Sequence, residues 1–280
     1  MSRTKSEIPF VGLHAHSVAG SVFDALGFPQ DHMDFAYENG NDALALTDHG
    51  NMNGLAYQVL HAKKMKSQGK DFKPIYGCEA YFVPSVTEWR EEYERAKEDK
   101  KRARALAKSQ AGLSVEDEGA TKSGNNNILN RRRHLVLIAQ NQTGLNNLFR
   151  LISDSYTEEY FYRYPRIDYD LLKKYGEGII AASACLGGVY AGCLWENREQ
   201  GDEAVLEAMR EVTRKMMDIF GDRWYGELQW NNVPEQHQLN KFIIQMSEEF
   251  GFKLISTADS HYPTPTAWKD RELYKRLGWL

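Results

Sequence analysis

The sequence predicts an α/β protein, and three observations indicate that its strands form a barrel. Seven short apolar runs alternate with segments whose apolar residues recur about once per helical turn. Four of these helical segments end in glycine, a residue that commonly follows the last turn of a helix. Side chains of the types that bind metals follow the apolar runs, and the carboxyl ends of strands meet at one face of an α/β barrel.

The predicted elements follow one another in regular alternation. Strands are expected at residues 9–14, 43–48, 73–83, 134–140, 178–183, 224–230 and 252–258. Helices are expected at residues 30–40, 54–69, 143–156, 203–221 and 234–251. Because most of the strands are followed by a helix, the chain is expected to fold as a single α/β domain over residues 1–280.

Two segments depart from this alternation. Residues 85–130 begin with SVTEWREEYERAKEDKKRARALAKSQAGLS and end within TKSGNNNILNRRR, which runs on to residue 133. The first stretch predicts an exposed helix, because its mixed charges leave little apolar surface to bury, and the second predicts a polar loop. We therefore interpret residues 85–130 as a charged insertion between the third and fourth strands. Residues 264–280 are expected to form a C-terminal helical tail.

The composition limits the partners and the compartment that are expected for the chain. A net charge of −4 and a pI near 6.1 argue against a broadly basic coat for nucleic acid, but they allow a local basic groove. Three cysteines without a CxxC pair imply no disulfide framework, which favours a cytoplasmic protein. The first ten residues lack the apolar core of a signal peptide, and no apolar run approaches the about 20 residues of a membrane helix. No membrane partner is therefore expected.

Candidate metal ligands gather near the ends of the predicted strands. His14 and His16 are separated by one residue, so their imidazoles point to the same side of an extended strand. One such pair is weak evidence by itself. The other candidates, in chain order, are Asp24, Asp48, His49, Glu79, His134, Cys185, Asp259 and His261. Because imidazole, carboxylate and thiolate groups all bind transition metals, their recurrence at successive strand ends predicts a metal cluster.

Six motifs carry a resemblance to a known family. LHAHS, LTDHGN, GCEAYF, RHLVLIAQN, SACLGG and TADSHY resemble the motifs of the PHP (polymerase and histidinol phosphatase) domain family. The segments SVFDALG, TGLNNLFRLISDSY and YFYRYPRID are similar to the branch at the N-terminus of bacterial DNA polymerase III alpha subunits. The resemblance covers about residues 8–263. This sequence departs from the family pattern in the long insertion and in ELQWNN at 227–232, where the branch often has an Asn-His or Asp-His pair.

The resemblance implies a distorted (βα)7 barrel that holds three divalent metal ions. The implied ligand sets, one for each ion, are His14, His16, Glu79 and Asp259; Glu79, His134 and Cys185; and Asp24, His49 and His261. None of these positions carries a residue that cannot bind a metal. Asp48 would instead orient a ligating histidine. Zinc is the expected ion because a thiolate is among the ligands, with manganese or iron as alternatives.

The resemblance also implies metal-dependent hydrolysis of a phosphoester. The residues expected to be catalytic, because they hold an ion that activates water, are His14, His16, Glu79 and Asp259. A replicative-polymerase context implies a DNA 3′ end as the substrate, hence a proofreading 3′→5′ exonuclease, and a polymerase chain as a partner. The arginines expected to contact phosphates, since they lie beside a ligand or among tyrosines, are Arg131, Arg132, Arg133, Arg163 and Arg166.

Two other functions suit the same residues. One is a small-molecule phosphatase of the histidinol-phosphate type, which an assay on phosphomonoesters would separate from a nuclease. The other is a non-catalytic scaffold for a polymerase, because metal ligands can persist for stability alone. With 280 residues the chain has no room for a polymerase itself, so a stand-alone protein, a split-gene product and a polymerase fragment are all compatible with the sequence.

Overall fold

The computed structural model describes residues 10–111 and 131–278, and these fold around one curled β-sheet. Its strands are β1 (Ala43–Leu46), β2 (Lys73–Phe82), β3 (Arg133–Ala139), β4 (Phe161–Tyr162), β5 (Tyr164–Ile167), β6 (Ile179–Ala182), β7 (Trp224–Gln229) and β8 (Lys253–Thr257). The sheet runs in the order β4-β5-β2-β3-β6-β7-β8, and β1 pairs with the first half of β2. The α/β fold class predicted from the sequence is confirmed.

Strand β3 runs against its neighbours, whereas most of the other strand pairs are parallel. It is antiparallel to both β2 and β6, while β1–β2, β2–β5, β6–β7 and β7–β8 are parallel pairs. The start of β3 therefore lies at the same edge of the sheet as the end of β2, where Phe82 pairs with Arg133. This reversal brings a residue at the beginning of a strand to the edge where the other strands end.

The predicted first strand, at residues 9–14, is not a continuous strand in the described part of the chain. Gly12 forms an isolated parallel bridge with Leu44 beside β1, and Ala15 forms one with Ser260, just after β8. The segment pairs first with β1 and then, within four residues, with the chain after β8, so it forms a continuous β-ladder with neither. Residues 12–16, the bridging segment, thus join the two ends of the curled sheet.

Helices cover the sheet. They are α1 (Pro29–Glu38), α2 (Leu55–Ser67), α3 (Val86–Ala111), α4 (Gln142–Ser155), α5 (Tyr169–Tyr175), α6 (Val189–Asn197), α7 (Asp202–Phe220), α8 (Pro234–Phe250) and α9 (Trp268–Gly278). The five helices expected in the barrel correspond to α1, α2, α4, α7 and α8. The sequence did not predict α5 and α6. Helix α5 is only seven residues long, and α6 is buried from Val189 to Leu194, so it shows no amphipathic pattern.

The largest part of the core lies between the sheet and helices α4 to α8. Trp224 of β7 is fully buried there, and its indole N–H donates to the Tyr190 hydroxyl at 3.2 Å. The Tyr190 and Thr213 hydroxyls lie 2.6 Å apart, so these three buried polar side chains of α6, α7 and β7 are hydrogen-bonded to one another. Apolar burial of this kind, worth roughly 25 cal/mol per Å², fixes the strands from which the site residues project.

The charged insertion begins as part of the core, which corrects the expectation that residues 85–130 are a separate exposed segment. Val86 and Trp89 are buried at the start of α3, where they pack with Val83. The guanidinium of Arg166 lies 3.8 Å from the centre of the Trp89 ring. From residue 91 to residue 106 the helix is charged and mostly exposed, as predicted. The expected polar loop falls on residues 112–130, outside the described residues.

The C-terminal tail, which was expected to be helical, contains the short 3-10 turn Pro265–Ala267 and the helix α9. Tyr274 of α9 stacks on Phe23, with ring centres 6.1 Å apart. The tail therefore packs against the loop that precedes α1. Among the residues that the structure describes, no helix is both long enough and apolar enough to cross a membrane.

Replacing Trp89 tests whether the start of the insertion belongs to the core. We expect Trp89→Ala to lower the free energy of unfolding by about 3–5 kcal/mol, because it empties a buried aromatic site. Lys101→Ala, an exposed change in the same helix, is the matched control and should cost less than about 0.5 kcal/mol. Urea unfolding followed by circular dichroism measures both, and equal values would mean that all of α3 is dispensable.

Candidate metal centre

The nine residues expected to bind metals converge at one edge of the sheet. They come from the bridging segment, from β2 and β3, and from the loops after β1, β6 and β8, with one more from the loop before α1. The residues brought together are His14, His16, Asp24, His49, Glu79, His134, Cys185, Asp259 and His261. The reversed direction of β3 places His134, near its first residue, at this edge. The nine residues singled out from the sequence therefore lie in a single cluster.

The carboxylate of Glu79 lies at the centre of the cluster and is fully buried. Its Oε1 is 3.2 Å from His14 Nε2 and 3.0 Å from His134 Nδ1. Its Oε2 is 2.6 Å from His49 Nδ1 and 3.6 Å from His16 Nε2. Each carboxylate oxygen therefore faces two imidazoles, which is the arrangement that a carboxylate bridging two cations requires.

Asp259 faces the same Nε2 atoms of the two histidines of the bridging segment as Glu79 does. Its Oδ1 lies 3.3 Å from His14 Nε2 and 3.1 Å from His16 Nε2. Its backbone has φ of +48°, a left-handed conformation that few non-glycine residues adopt and that aspartate tolerates better than most. Such conformations cost about 1–3 kcal/mol and persist where the surrounding structure holds them. The turn after β8 is thus held in a strained shape that directs this carboxylate into the cluster.

A second aspartate closes the other end of the cluster. The Oδ2 atom of Asp24 lies 3.1 Å from His49 Nε2 and 3.2 Å from His261 Nε2. Burial alone would raise the pKa of Asp24, but hydrogen bonds from His261 and His49 hold it below its ordinary value. The carboxylate is therefore charged at neutral pH and available to a cation.

Cys185 lies beside the His134 end of the cluster. Its Sγ atom is 3.6 Å from His134 Nδ1 and 3.9 Å from Glu79 Oε1, and the backbone N–H of Gly187 approaches it at 3.4 Å. Burial raises the pKa of the Cys185 thiol, and the charges of Asp259 and Glu79 raise it further. A bound cation reverses this balance, because a coordinating thiol loses its proton.

Carboxylates raise the pKa values of two histidines in the cluster. Burial opposes the protonation of His14, but the carboxylates of Glu227, Asp259 and Glu79 raise its pKa above the ordinary value. Burial likewise opposes protonation of His49, yet Glu79 and Asp24 raise its pKa to about 10. The carboxylate of Glu79, next to His134, His14 and His49, has its pKa held well below its ordinary value despite burial. Cations would replace these protons.

The cluster passes a test of fit for divalent ions. Several buried polar atoms approach one another without hydrogen-bond geometry; they are His14 Nε2, His16 Nε2, His49 Nδ1, Glu79 Oε2 and Asp259 Oδ1. An unsatisfied buried polar group costs about 1–3 kcal/mol, which a bound cation would offset. Three groups offer ligand atoms within 4.8 Å of one another, and they are His14, His16 and Asp259; His16, His49 and His261; and His49, Glu79 and His134. Imidazole and carboxylate donors of this kind suit zinc, manganese or iron.

Glu227 on β7 is a supporting residue that the sequence did not predict. Its Oε1 atom accepts hydrogen bonds from His14 Nδ1 at 2.6 Å, Thr257 Oγ1 at 2.5 Å and Gln229 Nε2 at 2.9 Å. The bond to Nδ1 fixes the tautomer of His14, so that its Nε2 atom faces Glu79 and Asp259. The available signal was the presence of one carboxylate in the largely buried strand WYGELQ.

Asp48 was expected to orient a ligating histidine. It is hydrogen-bonded to two serines, and one of them contacts a histidine of the cluster. Its carboxylate accepts hydrogen bonds from the Ser17 N–H at 2.6 Å and from the Ser21 hydroxyl at 2.9 Å. The same Ser21 hydroxyl lies 3.2 Å from His16 Nδ1 and accepts from the His49 backbone N–H. The link from Asp48 to His16 therefore contains Ser21, which the sequence did not single out.

Two of the five arginines expected to contact phosphates are structural instead. Arg166 is fully buried, where it stacks on Trp89 and donates to the Tyr162 carbonyl at 2.7 Å. Arg133 is also buried and forms an ion pair with Glu196 at 2.5 Å. Arg166 is thus held by backbone carbonyls and an aromatic ring, and Arg133 by a carboxylate, so both guanidinium groups have structural contacts inside the protein.

Of the other three arginines, Arg163 is exposed, and Arg131 and Arg132 are half-buried. Arg131 pairs with Glu92 of α3 at 3.3 Å. Arg163 is in the turn between β4 and β5, with a φ of +56°. Arg132 lies 3.8 Å from the centre of the Tyr164 ring and 5.1 Å from that of Tyr81. The guanidinium of Arg132 therefore lies close to two aromatic rings.

Glu227→Gln tests the supporting bond to His14. The change keeps the size of the side chain but removes the charge that orients and polarises the imidazole, so we expect zinc affinity to fall by about 10- to 100-fold. Glu248→Gln, an exposed change on α8, is the control and should bind zinc as the unmodified protein does. Competition with a chromophoric chelator measures both, and unchanged affinity in Glu227→Gln would remove its supporting role.

Comparison with known proteins agrees with this geometry. The model of the PHP domain matches residues 12–231. The chain is 36% identical over 259 residues to the DNA polymerase III subunit alpha of Aquifex aeolicus, covering 91% of this chain and 18% of that protein. It is 34% identical over 257 residues to the same subunit of Deinococcus radiodurans, covering 90% of this chain and 16% of that protein.

The chain therefore spans less than a fifth of the length of these curated relatives. Among solved structures, an amidohydrolase from Chromobacterium violaceum with bound sulfate aligns with a TM-score of 0.46 at 14% identity, covering 94% of this chain and 96% of that one. The resemblance read from the sequence motifs is confirmed by the family match and by the polymerase relatives. On these grounds the chain belongs to the PHP domain family.

Proposed function

We propose that the chain is a metal-dependent phosphodiesterase that removes nucleotides from a DNA 3′ end. In this proposal it is a proofreading 3′→5′ exonuclease within, or associated with, a DNA polymerase III alpha subunit. The observation that supports it most directly is the complete set of ligand-type side chains around Glu79, with their unsatisfied atoms directed at one another. The polymerase relatives support DNA as the substrate class.

The proposed ligands are the nine residues of the cluster, arranged around three divalent ions, with zinc as the preferred ion and manganese or iron as alternatives. When bound, such ions neutralise charge on the phosphate and make water nucleophilic near neutral pH. The protein holds the ligand atoms in place before an ion arrives. Glu227 orients His14, Ser21 links His16 to Asp48, and the strained turn at Asp259 fixes the carboxylate.

Among the predicted arginines, Arg132 is the one that we propose as the phosphate contact. Its guanidinium lies against Tyr81, and the Tyr81 ring centre is 5.6 Å from that of His134 and 6.0 Å from that of His49. The cation is therefore at the rim of the metal cluster. An arginine held between aromatic rings suits a DNA end, because the guanidinium pairs with phosphate while rings stack on unpaired bases.

Two alternatives are outcomes of the same experiments. The small-molecule phosphatase is not favoured, because curated relatives at 28–36% identity are polymerase subunits. The scaffold is compatible with the same cluster, since ions that satisfy buried ligand atoms also stabilise the fold. Activity on DNA distinguishes an enzyme from a scaffold, and the choice between DNA and a phosphomonoester distinguishes the two enzymes.

The central test is the variant in which both His14 and His16 are replaced by alanine. We expect release of mononucleotides from 3′-labelled single-stranded DNA to fall by at least about a thousandfold, while DNA binding is retained. His237→Ala, an exposed histidine of α8, is the control and should keep full activity.

These assays use zinc and manganese in turn, together with 5′-labelled DNA and a phosphomonoester. A wild-type protein that is loaded with ions but inactive on every substrate would favour the scaffold. Unchanged activity of the double variant would reject the proposed catalytic residues.

Arg132→Ala tests the proposed phosphate contact. Because a hydrogen bond to a charged group is worth about 1.5–3 kcal/mol, we expect kcat/KM on single-stranded DNA to fall by about 10- to 100-fold, mainly through KM. The metal content should stay that of the wild type. Arg131→Ala, which removes the adjacent cation paired with Glu92, should change kcat/KM less than twofold. Equal losses in the two variants would indicate a general charge effect.

A further inference from the structure

Arg271, on the C-terminal helix α9, forms hydrogen bonds with Asp24, one of the candidate metal ligands. Arg271 of α9 donates from Nε to the backbone carbonyl of Asp24 at 2.8 Å. It also donates from Nη2 to Asp24 Oδ1, again at 2.8 Å. The two bonds fix both the backbone and the carboxylate of the same residue. Both partners are largely shielded, with exposed side-chain fractions of 17% for Arg271 and 30% for Asp24.

Neighbouring contacts fix the rest of this loop against the same helix. Phe23 stacks on Tyr274 with an angle of 26° between the rings. Gly278 lies so close that a Cβ atom there would be 2.7 Å from the Phe23 Cβ. Phe23 itself has φ of +70°, a conformation that is costly for a bulky residue and therefore needs support from its surroundings. The shape of residues 23 and 24 thus depends on α9.

The carboxylate of Asp24 is divided between two roles. Oδ1 accepts from Arg271, while Oδ2 faces His49 and His261 at 3.1 and 3.2 Å. Because Arg271 occupies Oδ1, Asp24 presents one oxygen to the cluster in a fixed direction. An aspartate released from Arg271 would be free to rotate and to withdraw with its loop.

We propose that Arg271 is a positioning residue for the metal centre, so that ion binding by Asp24, His49 and His261 depends on the docking of α9. The inference rests on the metal centre of the proposed function and not on the reaction. It assigns to the C-terminal helix a role in the site. A polymerase segment or other protein partner that draws α9 away would weaken one ion subsite and leave the rest of the cluster in place.

Two effects of Arg271 on a cation oppose each other. Its positive charge repels a cation, whereas its hydrogen bonds hold the ligand in place. The guanidinium lies on the Oδ1 side, away from the histidines, which reduces the repulsion between the two cations. The positioning effect is expected to prevail, because groups that orient a metal ligand typically contribute 10- to 100-fold to affinity.

Three variants of the full chain test this role. Arg271→Ala removes the charge and both bonds, while Arg271→Lys keeps the charge but cannot reproduce the two-point contact. Arg276→Ala, an exposed arginine of the same helix, is the matched control. Zinc titrations by calorimetry and chelator competition give the affinity of each bound equivalent, and urea unfolding in the presence of a chelator gives the stability without metal.

We expect Arg271→Ala and Arg271→Lys to weaken one zinc equivalent by at least about tenfold. The other equivalents, and all equivalents in Arg276→Ala, should bind as in the wild type. Equal or tighter binding of every equivalent in Arg271→Ala would overturn the proposal. So would a uniform loss across all equivalents that accompanies a matching loss of metal-free stability, because that result would show a general structural role.

The test has a second variant in case Arg271→Ala fails to fold. Tyr274→Ala keeps Arg271 but removes the stacking on Phe23, and it should weaken the same equivalent by a smaller factor. Binding of that equivalent at wild-type strength in Tyr274→Ala would then count against the docking role. The titrations need no DNA, so an inactive wild type would reject the exonuclease without touching this result. A wild type that binds no zinc would overturn both.

Discussion

The buried carboxylate of Glu79 is the constraint on which the rest of the site depends. A charge removed from water is stable only when other groups replace the lost hydration, and four imidazoles lie within 3.6 Å of its two oxygens. Its backbone is also shared between strands: the Glu79 N–H lies 3.1 Å from the carbonyls of Thr47 and Asp48, and its carbonyl accepts from Gly50. The end of β1, the middle of β2 and the metal cluster are therefore fixed together.

The remaining ligands reach this carboxylate because the sheet is curled and one of its strands is reversed. The parallel strands deliver residues at their carboxyl ends, and β3 delivers His134 at its start because it runs the other way. The bridging segment supplies His14 from between β1 and the end of β8. The turn at Asp259 has an unfavourable left-handed backbone, which the surrounding structure holds and which places the carboxylate in the cluster.

The sequence predicted those parts of the site in which local spacing determines direction. The pair His14 and His16 and the residues at the strand ends could be recognised because strand geometry orients side chains at a spacing of two. The contact of Glu227 with His14 could not be predicted, since it joins residues 213 positions apart and depends on the curvature of the sheet. The roles of the arginines could not be predicted from the sequence either. Arg132 and Arg133 are adjacent in sequence, yet one lies on tyrosine rings and the other is buried against Glu196.

The reversed strand also determines where the chain can vary. Phe82 and Arg133 are paired neighbours in an antiparallel ladder, so residues 83–132 have the topology of a very long hairpin connection. Closing a longer connection of this kind costs only slightly more, since each doubling of a flexible loop adds about 0.6 kcal/mol. Both of its ends open at the metal edge of the sheet. Evolution or a designer can therefore lengthen, shorten or replace the part of this connection that lies between the buried Trp89 and Arg132, without altering the strands that hold the ligands.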